Sequence, residues 1–198
     1  MVEFTRRNPE PPELTAFREA SPTAGPSEFS SIGFHSIKLL VKQKLNEDQF
    51  GLCAYCESAL SPADGQIDHV KPKGGLHARP DLTFAYENYV HGCCHQPKHC
   101  GQKKGDKLLP IEPGPLSCNE KFVLCTNGDI GPKMDLSRQE KHLVCSVRDM
   151  LGLNYSSLRV EREKWVAVSL ELLRFSAEEF ESFIANKPYR FILRRLAS

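Results

Sequence analysis

Between positions 53 and 100 the chain carries five of its eight cysteines, and no other feature restricts its fold as tightly. Cys53 and Cys56 form a knuckle with a two-residue gap. Such a gap holds two thiolates about one turn apart, close enough to share a tetrahedral zinc ion. A second pair is then needed, and it falls in 93–100: Cys93 or Cys94 supplies one ligand and Cys100 the other, with His95 and His99 in the same loop. Buried free thiols are the plain alternative, since cysteine often serves as a small core residue. A polar, turn-rich segment suits that alternative poorly. A Cys-x-x-Cys redox pair is the other rival, and it lacks the βαβ surroundings such motifs have. Cys118, Cys125 and Cys145 lie in hairpin or helix patterns and read as core.

A chain of 198 residues can bury a core of its own, so a metal here has a local task. Lys and Arg number 26 against 25 Asp and Glu, a balance that neither announces nor excludes a nucleic-acid partner. Distribution says more: the stretch 98–107 holds four lysines, Tyr189–Leu196 holds three arginines, and acids gather in 161–181. No apolar run approaches the ~18 residues of a membrane span, and the N-terminal segment lacks a signal-peptide h-region. The expected location is the cytoplasm, away from membranes, where thiols stay reduced.

Residues 1–30, with Pro9, Pro11, Pro12, Pro22 and Pro26, read as an extended arm with one short helix at Glu13–Ala20. Ile37, Leu40, Val41 and Leu45 give 35–47 one buried helical stripe. Gln66–Val70 reads as a short strand after an Asp64-Gly65 turn, Tyr86–Cys93 as a turn or helix, and Cys100–Leu108 as a helix start. Asn127-Gly128 between Lys121–Cys125 and Ile130–Lys133 signals a hairpin. Helices follow over 136–151 and 155–173, the latter with Trp165 on its core face. A third starts at Ser176, whose Ser-Ala-Glu-Glu sequence is a capping box. The organisation is thus an arm (1–30), a helix plus the cysteine-rich unit (31–110), and a hairpin with helices (111–198).

Asp68-His69 is where hydrolytic chemistry would sit. Cleaving a phosphodiester needs a base for water and a cation for the departing oxyanion. Neighbours on a strand point to opposite faces, so the pair converges only if the backbone turns there, for which Lys71-Pro72 offers a reason. Asp68 could then hold a magnesium ion, as carboxylates suit hard cations, with His69 as base. By itself an Asp-His pair means little, because buried structural histidines outnumber catalytic ones.

The segments Cys53-Ala54-Tyr55-Cys56-Glu57, Ile67-Asp68-His69-Val70-Lys71-Pro72-Lys73, Tyr86-Glu87-Asn88-Tyr89-Val90-His91-Gly92-Cys93 and Cys100-Gly101-Gln102-Lys103-Lys104-Gly105-Asp106 together resemble the HNH endonucleases of bacterial defence systems. Within these they look most like the PtuB type of Septu and retron loci, as do Pro11-Pro12-Glu13-Leu14 in the arm. The resemblance implies an α+β fold: a ββα-metal core with zinc knuckles, embedded in a mainly helical body. It implies His69 as general base, Asp68 as ligand of a catalytic Mg2+ or Mn2+, and Asn88 as the residue orienting the loop and the histidine. It also selects Cys93, five residues after Asn88, so that Cys53, Cys56, Cys93 and Cys100 hold structural Zn2+ and Cys94 is spare. The partners implied are a nucleic-acid substrate, an ATPase of the PtuA type and, in a retron, a reverse transcriptase with its DNA–RNA product.

One position departs from the family pattern. Where His or Asn normally follows the last zinc cysteine, the chain reads Gly101-Gln102. Gln102 through its carbonyl oxygen, or His99 or His95 from the loop, would have to stand in. Lys71, Lys73, Lys103 and Lys104 flank the site and would hold phosphates, or simply form a solvated face. Tyr55 reads as a core tyrosine beside the knuckle, Glu57 as a partner for one of the lysines, and His77 as exposed. Competing functions are a non-catalytic zinc-finger-like module binding nucleic acid or protein, which makes Asp68-His69 structural, and a redox or metal sensor using the cysteines.

Overall fold

The computed structural model describes residues 1–6, 9–94 and 99–196. Its elements run α1 (Pro12–Ala20), α2 (His35–Asp48), β1 (Gln66–His69), β2 (Tyr89–Gly92), α3 (Cys100–Lys104), β3 (Phe122–Leu124), β4 (Ile130–Pro132), α4 (Arg138–Leu151), α5 (Ser156–Phe175), α6 (Ala177–Ile184) and α7 (Arg190–Leu193). The fold mixes helix and sheet, as expected.

Local signals explain most boundaries. Ser137 caps α4 in a full capping box with Glu140, and Gly152 closes that helix in the left-handed conformation. Ser176 ends α5 and accepts from the Glu179 backbone to start α6. Asn127-Gly128 turns β3 into antiparallel β4, with Phe122 opposite Pro132 and Leu124 opposite Ile130.

β1 and β2 pair antiparallel, with Gln66 opposite Gly92, Asp68 opposite Val90 and His69 opposite Tyr89. The turn entering β1 needs Gly65: its φ is +66°, and a Cβ there would lie 2.5 Å from the Gly92 carbonyl oxygen. Reading Tyr86–Cys93 only as turn or helix missed β2; a 3-10 turn at Tyr86–Asn88 leads into that strand. All four β2 residues are buried, so no polar–apolar alternation marked it as a strand.

Two apolar cores flank this pair. One gathers Cys53, Tyr55, Val90, Cys93, Cys100, Val147, Leu151, Leu158, Val166, Ile184 and Leu193. The other gathers Leu14, Phe29, Phe34, Val41, Leu45, Phe84 and Tyr89. Tyr89 and Val90 are chain neighbours in different cores, because alternate strand residues face opposite ways. The seam between the cores is therefore the β1–β2 pair itself.

The described residues of 1–30 do not stand free as an arm. Met1, Val2 and Phe4 lie in the first core, and Leu14 and Phe29 in the second. The prolines shaped the backbone, but the apolar side chains between them still found cores to enter. Glu57 likewise corrects an expectation. Instead of a lysine, it accepts from the Met1 ammonium at 2.9 Å and from the backbone of Phe191 and Ile192, joining the knuckle to α7.

Candidate active site and metal centre

The sulfur atoms of Cys53, Cys56, Cys93 and Cys100 all lie within 4.8 Å of one another, and all four residues are buried. Cys53–Cys100 and Cys56–Cys93 are each 3.8 Å apart. A tetrahedral zinc with Zn–S bonds of about 2.3 Å needs sulfur edges of about 3.8 Å, so the donor set fits a closed, structural ion. The knuckle is shaped for this. Glu57 N–H donates to the Cys53 carbonyl at 3.0 Å, and Cys93 N–H donates to the Cys53 sulfur at 3.3 Å. Crowding divides the thiols: contacts with other cysteines hold Cys53 well below its ordinary range despite burial, while burial and the same neighbours push Cys100 well above. A shared cation would resolve that competition. Cys94, next along an extended backbone, points outward and is exposed. Cys118 is buried elsewhere, and Cys125 and Cys145 are half-buried.

Asp68 faces this centre. Tyr55, inside the knuckle, donates its hydroxyl to Asp68 Oδ2 at 2.5 Å, and Lys104 Nζ lies 3.6 Å from the same oxygen. His69 N–H donates to Asp68 Oδ1 at 3.0 Å. Burial raises the carboxyl's pKa, opposed by Lys104 and the Tyr55 hydrogen bond. α3 reaches Asp68 because Gly101 has no side chain: a Cβ there would sit 3.1 Å from Asp68 Oδ2 and 3.2 Å from Gln66 Nε2.

His69 faces the other core. The residue is 5% exposed, its ring edge-on to Phe29 at 4.6 Å and to Tyr89 at 5.1 Å. Nε2 lies 2.9 Å from the Thr83 carbonyl oxygen, which accepts only from a protonated nitrogen. Burial pushes the imidazole pKa down to about 4. The ring is thus neutral with its lone pair on Nδ1. The turn expected to unite Asp68 and His69 comes too late: β1 runs through His69, paired with Tyr89, so the two side chains keep opposite faces.

Asn88 closes the loop after His69. Its Oδ1 accepts from Lys71 N–H at 2.8 Å, and its Nδ2 donates to the Lys71 and Leu82 carbonyls at 3.0 and 3.2 Å. The side chain touches backbone on both sides of the loop. Gln102 is exposed and donates to Gln66 Oε1 at 3.1 Å, on the Asp68 face of β1. His99 is buried with Nδ1 3.1 Å from the Cys100 sulfur, so it stands with the cysteines. His95 lies outside the described residues.

The four flanking lysines divide. Lys103 is exposed, Lys71 lies 3.8 Å from Glu112, and Lys73 sits over the Phe29 ring at 5.0 Å. Lys104 differs from all three: it is 1% exposed, and its ammonium donates to the His69 carbonyl at 2.7 Å. A buried ammonium committed to a carbonyl and a carboxylate is not an open phosphate contact. Tyr55 is a core tyrosine, as expected, but with a polar task at Asp68. Thr83, Phe29 and Lys38 were absent from the sequence reading. A lysine pair at 38 and 42, one turn apart on α2, was the available signal.

Among the described residues, the only group of three or more metal-capable His, Cys, Asp or Glu side chains is the four-cysteine one. No helix among them is long and apolar enough to cross a membrane. Fold and site together define a mixed α+β protein in which a buried four-cysteine cluster, able to hold a metal ion, stands beside a strand carrying Asp-His. No family model matches the chain. It is 39% identical over 176 residues, 85% of this chain and 86% of the relative, to the "Retron Vc95 putative HNH endonuclease" of Vibrio cholerae serotype O1 biovar El Tor. The chain belongs to this family of retron HNH endonucleases.

Proposed function

We propose that the protein is a metal-dependent endonuclease that hydrolyses phosphodiester bonds in DNA or RNA as the toxic effector of a PtuB-type anti-phage system. The observation that carries this reading is the setting of His69: Nε2 lies 2.9 Å from the Thr83 carbonyl, which leaves Nδ1 as the nitrogen able to accept a proton. In this role His69 Nδ1 takes a proton from water, and the Thr83 carbonyl stabilises the imidazolium that forms. Asp68, with a Gln66 or Gln102 amide oxygen beside it, would hold a magnesium or manganese ion. One carboxylate suffices for an ion that keeps several waters and takes further ligands from phosphate. Such an ion supplies Lewis-acid stabilisation of the leaving oxygen.

Asp68 and His69 occupy two faces of one strand end, so the scissile phosphate must lie across that end. Lys104 ties the two together by holding the His69 carbonyl and facing the Asp68 carboxylate. Asn88 fixes the loop beyond, and Lys71, Lys73 and Lys103 are the candidate contacts to flanking phosphates. The ββα-metal core of this reading comprises β1, β2 and α3, stapled by zinc at Cys53, Cys56, Cys93 and Cys100. Cytoplasmic action under a PtuA-type ATPase, with a reverse transcriptase and its DNA–RNA product, completes the proposal.

The test is cleavage of mixed DNA and RNA substrates with magnesium or manganese, comparing wild type with His69→Ala, alone and with the neighbouring ATPase. Zinc content is confirmed first. Cleavage that needs the divalent ion and disappears in the variant is expected. Equal cleavage by both proteins would remove His69 from its role, and nucleic-acid binding without any cleavage would favour a binding module.

A further inference from the structure

Beside the start of β1 a cleft of about 280 Å3 opens against α2, lined by Phe29, His35, Lys38, Lys42, Gln66 and Ile67. No carboxylate lines it. Lys38 Nζ stands 4.2 Å from the centroid of the Phe29 ring, and Lys73 Nζ stands 5.0 Å from the same centroid. Phe29 in turn packs edge-on against His69. One buried aromatic ring thus sets two ammonium groups next to the imidazole.

Neither ammonium has an ion-pair partner among the described residues, whereas Lys44 on the same helix faces Glu47 at 3.8 Å. The ring face offers each cation some electrostatic relief, but it does nothing for their mutual repulsion. Burial, followed by the charge of Lys73, lowers the pKa of Lys38. Two half-buried like charges without a counter-ion are stabilised by an anion placed between them. The first turn of α2 adds the positive end of a helix dipole to the same cleft.

We propose that Lys38 and Lys73, both held over the Phe29 ring, clamp one backbone phosphate of a nucleic-acid strand, and that the cleft past His35 and Lys42 carries this strand along α2. The proposal rests on the nuclease reading only for the statement that the same strand is cut at His69. Phosphate recognition here is independent of base sequence, and DNA and RNA share the chemistry. Phe29 is 7% exposed, so it spaces the lysines and does not serve as a stacking platform for bases.

The experiment measures binding of labelled single-stranded DNA and RNA oligonucleotides to the full, zinc-loaded chain across a salt series, without magnesium or manganese. Lys38→Gln and Lys73→Gln should each weaken binding to the same extent on every sequence and flatten the log–log salt slope by about 0.7. Lys38→Arg should restore the slope. Lys44→Gln removes the same charge from α2 outside the cleft and should leave the slope unchanged. If Lys38→Gln binds with the wild-type slope while wild type still cleaves, the clamp is wrong and the nuclease reading stands. If the slope falls but no strand is cut with divalent ions present, the clamp stands and the nuclease reading fails. Wild type that binds neither strand overturns the clamp, as does an equal loss in Lys44→Gln.

Discussion

Tyr55, enclosed between the two knuckle cysteines, donates its hydroxyl to Asp68 Oδ2 at 2.5 Å. The four-cysteine cluster and the candidate hydrolytic strand are therefore joined by a side-chain hydrogen bond as well as by packing. Tyr55→Phe keeps the ring and deletes the donor. A hydrogen bond to a charged group contributes roughly 1.5–3 kcal/mol, so a stability loss of about 2 kcal/mol is expected with zinc content unchanged. Asp68 also loses an interaction that lowers its pKa, so the acid limb of the cleavage profile should move to higher pH. Urea unfolding and a pH–rate series check both; no change in either would make the contact incidental.

Zinc should be found at one ion per chain and should depend on a particular set of thiols. Cys56→Ser removes a buried member of the cluster, whereas Cys94→Ser alters an exposed one. Elemental analysis should show zinc lost from the first and retained by the second. Structural zinc can contribute about 10–16 kcal/mol to small domains. Here the helical core beyond the site should survive chelation, with the loss confined to the α3–β1 contact. Global unfolding on chelation would show that the ion supports the whole chain.

Asn88→Ala strips one acceptor from Lys71 N–H and one donor each from the Lys71 and Leu82 carbonyls. Leaving such groups unpaired costs about 1–3 kcal/mol apiece where water cannot reach, so a total near 3 kcal/mol is expected. Cleavage should fall with little change in strand affinity, because Asn88 contacts loop backbone. A variant with normal stability and activity would remove the loop-clamp role.

Acid should weaken the fold through two histidines. Burial pushes both His69 and His91 down to about 4, and His91 is fixed by Asn46 at 3.1 Å and the Asp64 carbonyl at 2.8 Å. Unfolded histidine titrates near about 6.5. Between those values the unfolded chain binds protons that the folded chain refuses, so stability falls as pH drops from about 6.5 towards 4. Each histidine should cost about 2 kcal/mol between pH 7 and pH 5. His91→Gln should roughly halve the histidine part of the difference between urea midpoints at those two pH values. An unchanged difference would mean that His91 is charged in the folded protein.

Much of this architecture was legible locally. Cysteine spacing identified the four-thiol cluster, with the family spacing from Asn88 selecting Cys93 over Cys94. Ser176 marked a helix start, and Asn127-Gly128 marked the hairpin. These features are written in neighbouring residues, where short-range sterics and hydrogen bonding act. β2 was missed because both its faces are buried. The packing of residues 1–30 was missed because prolines report backbone shape and not where a Phe or Leu will settle.

The sequence by itself determined which groups could carry chemistry: four thiols able to share an ion, an Asp-His pair, an asparagine at fixed spacing and a set of lysines. Tertiary structure decided what each group faces. It put Asp68 with the cysteines and His69 with the aromatic core, turned Lys104 inward, and brought Lys38 from α2 beside Lys73 over one ring. Those outcomes depend on contacts between residues tens of positions apart. Such contacts are set by which buried faces fit together across the β1–β2 seam, and no local periodicity encodes that fit.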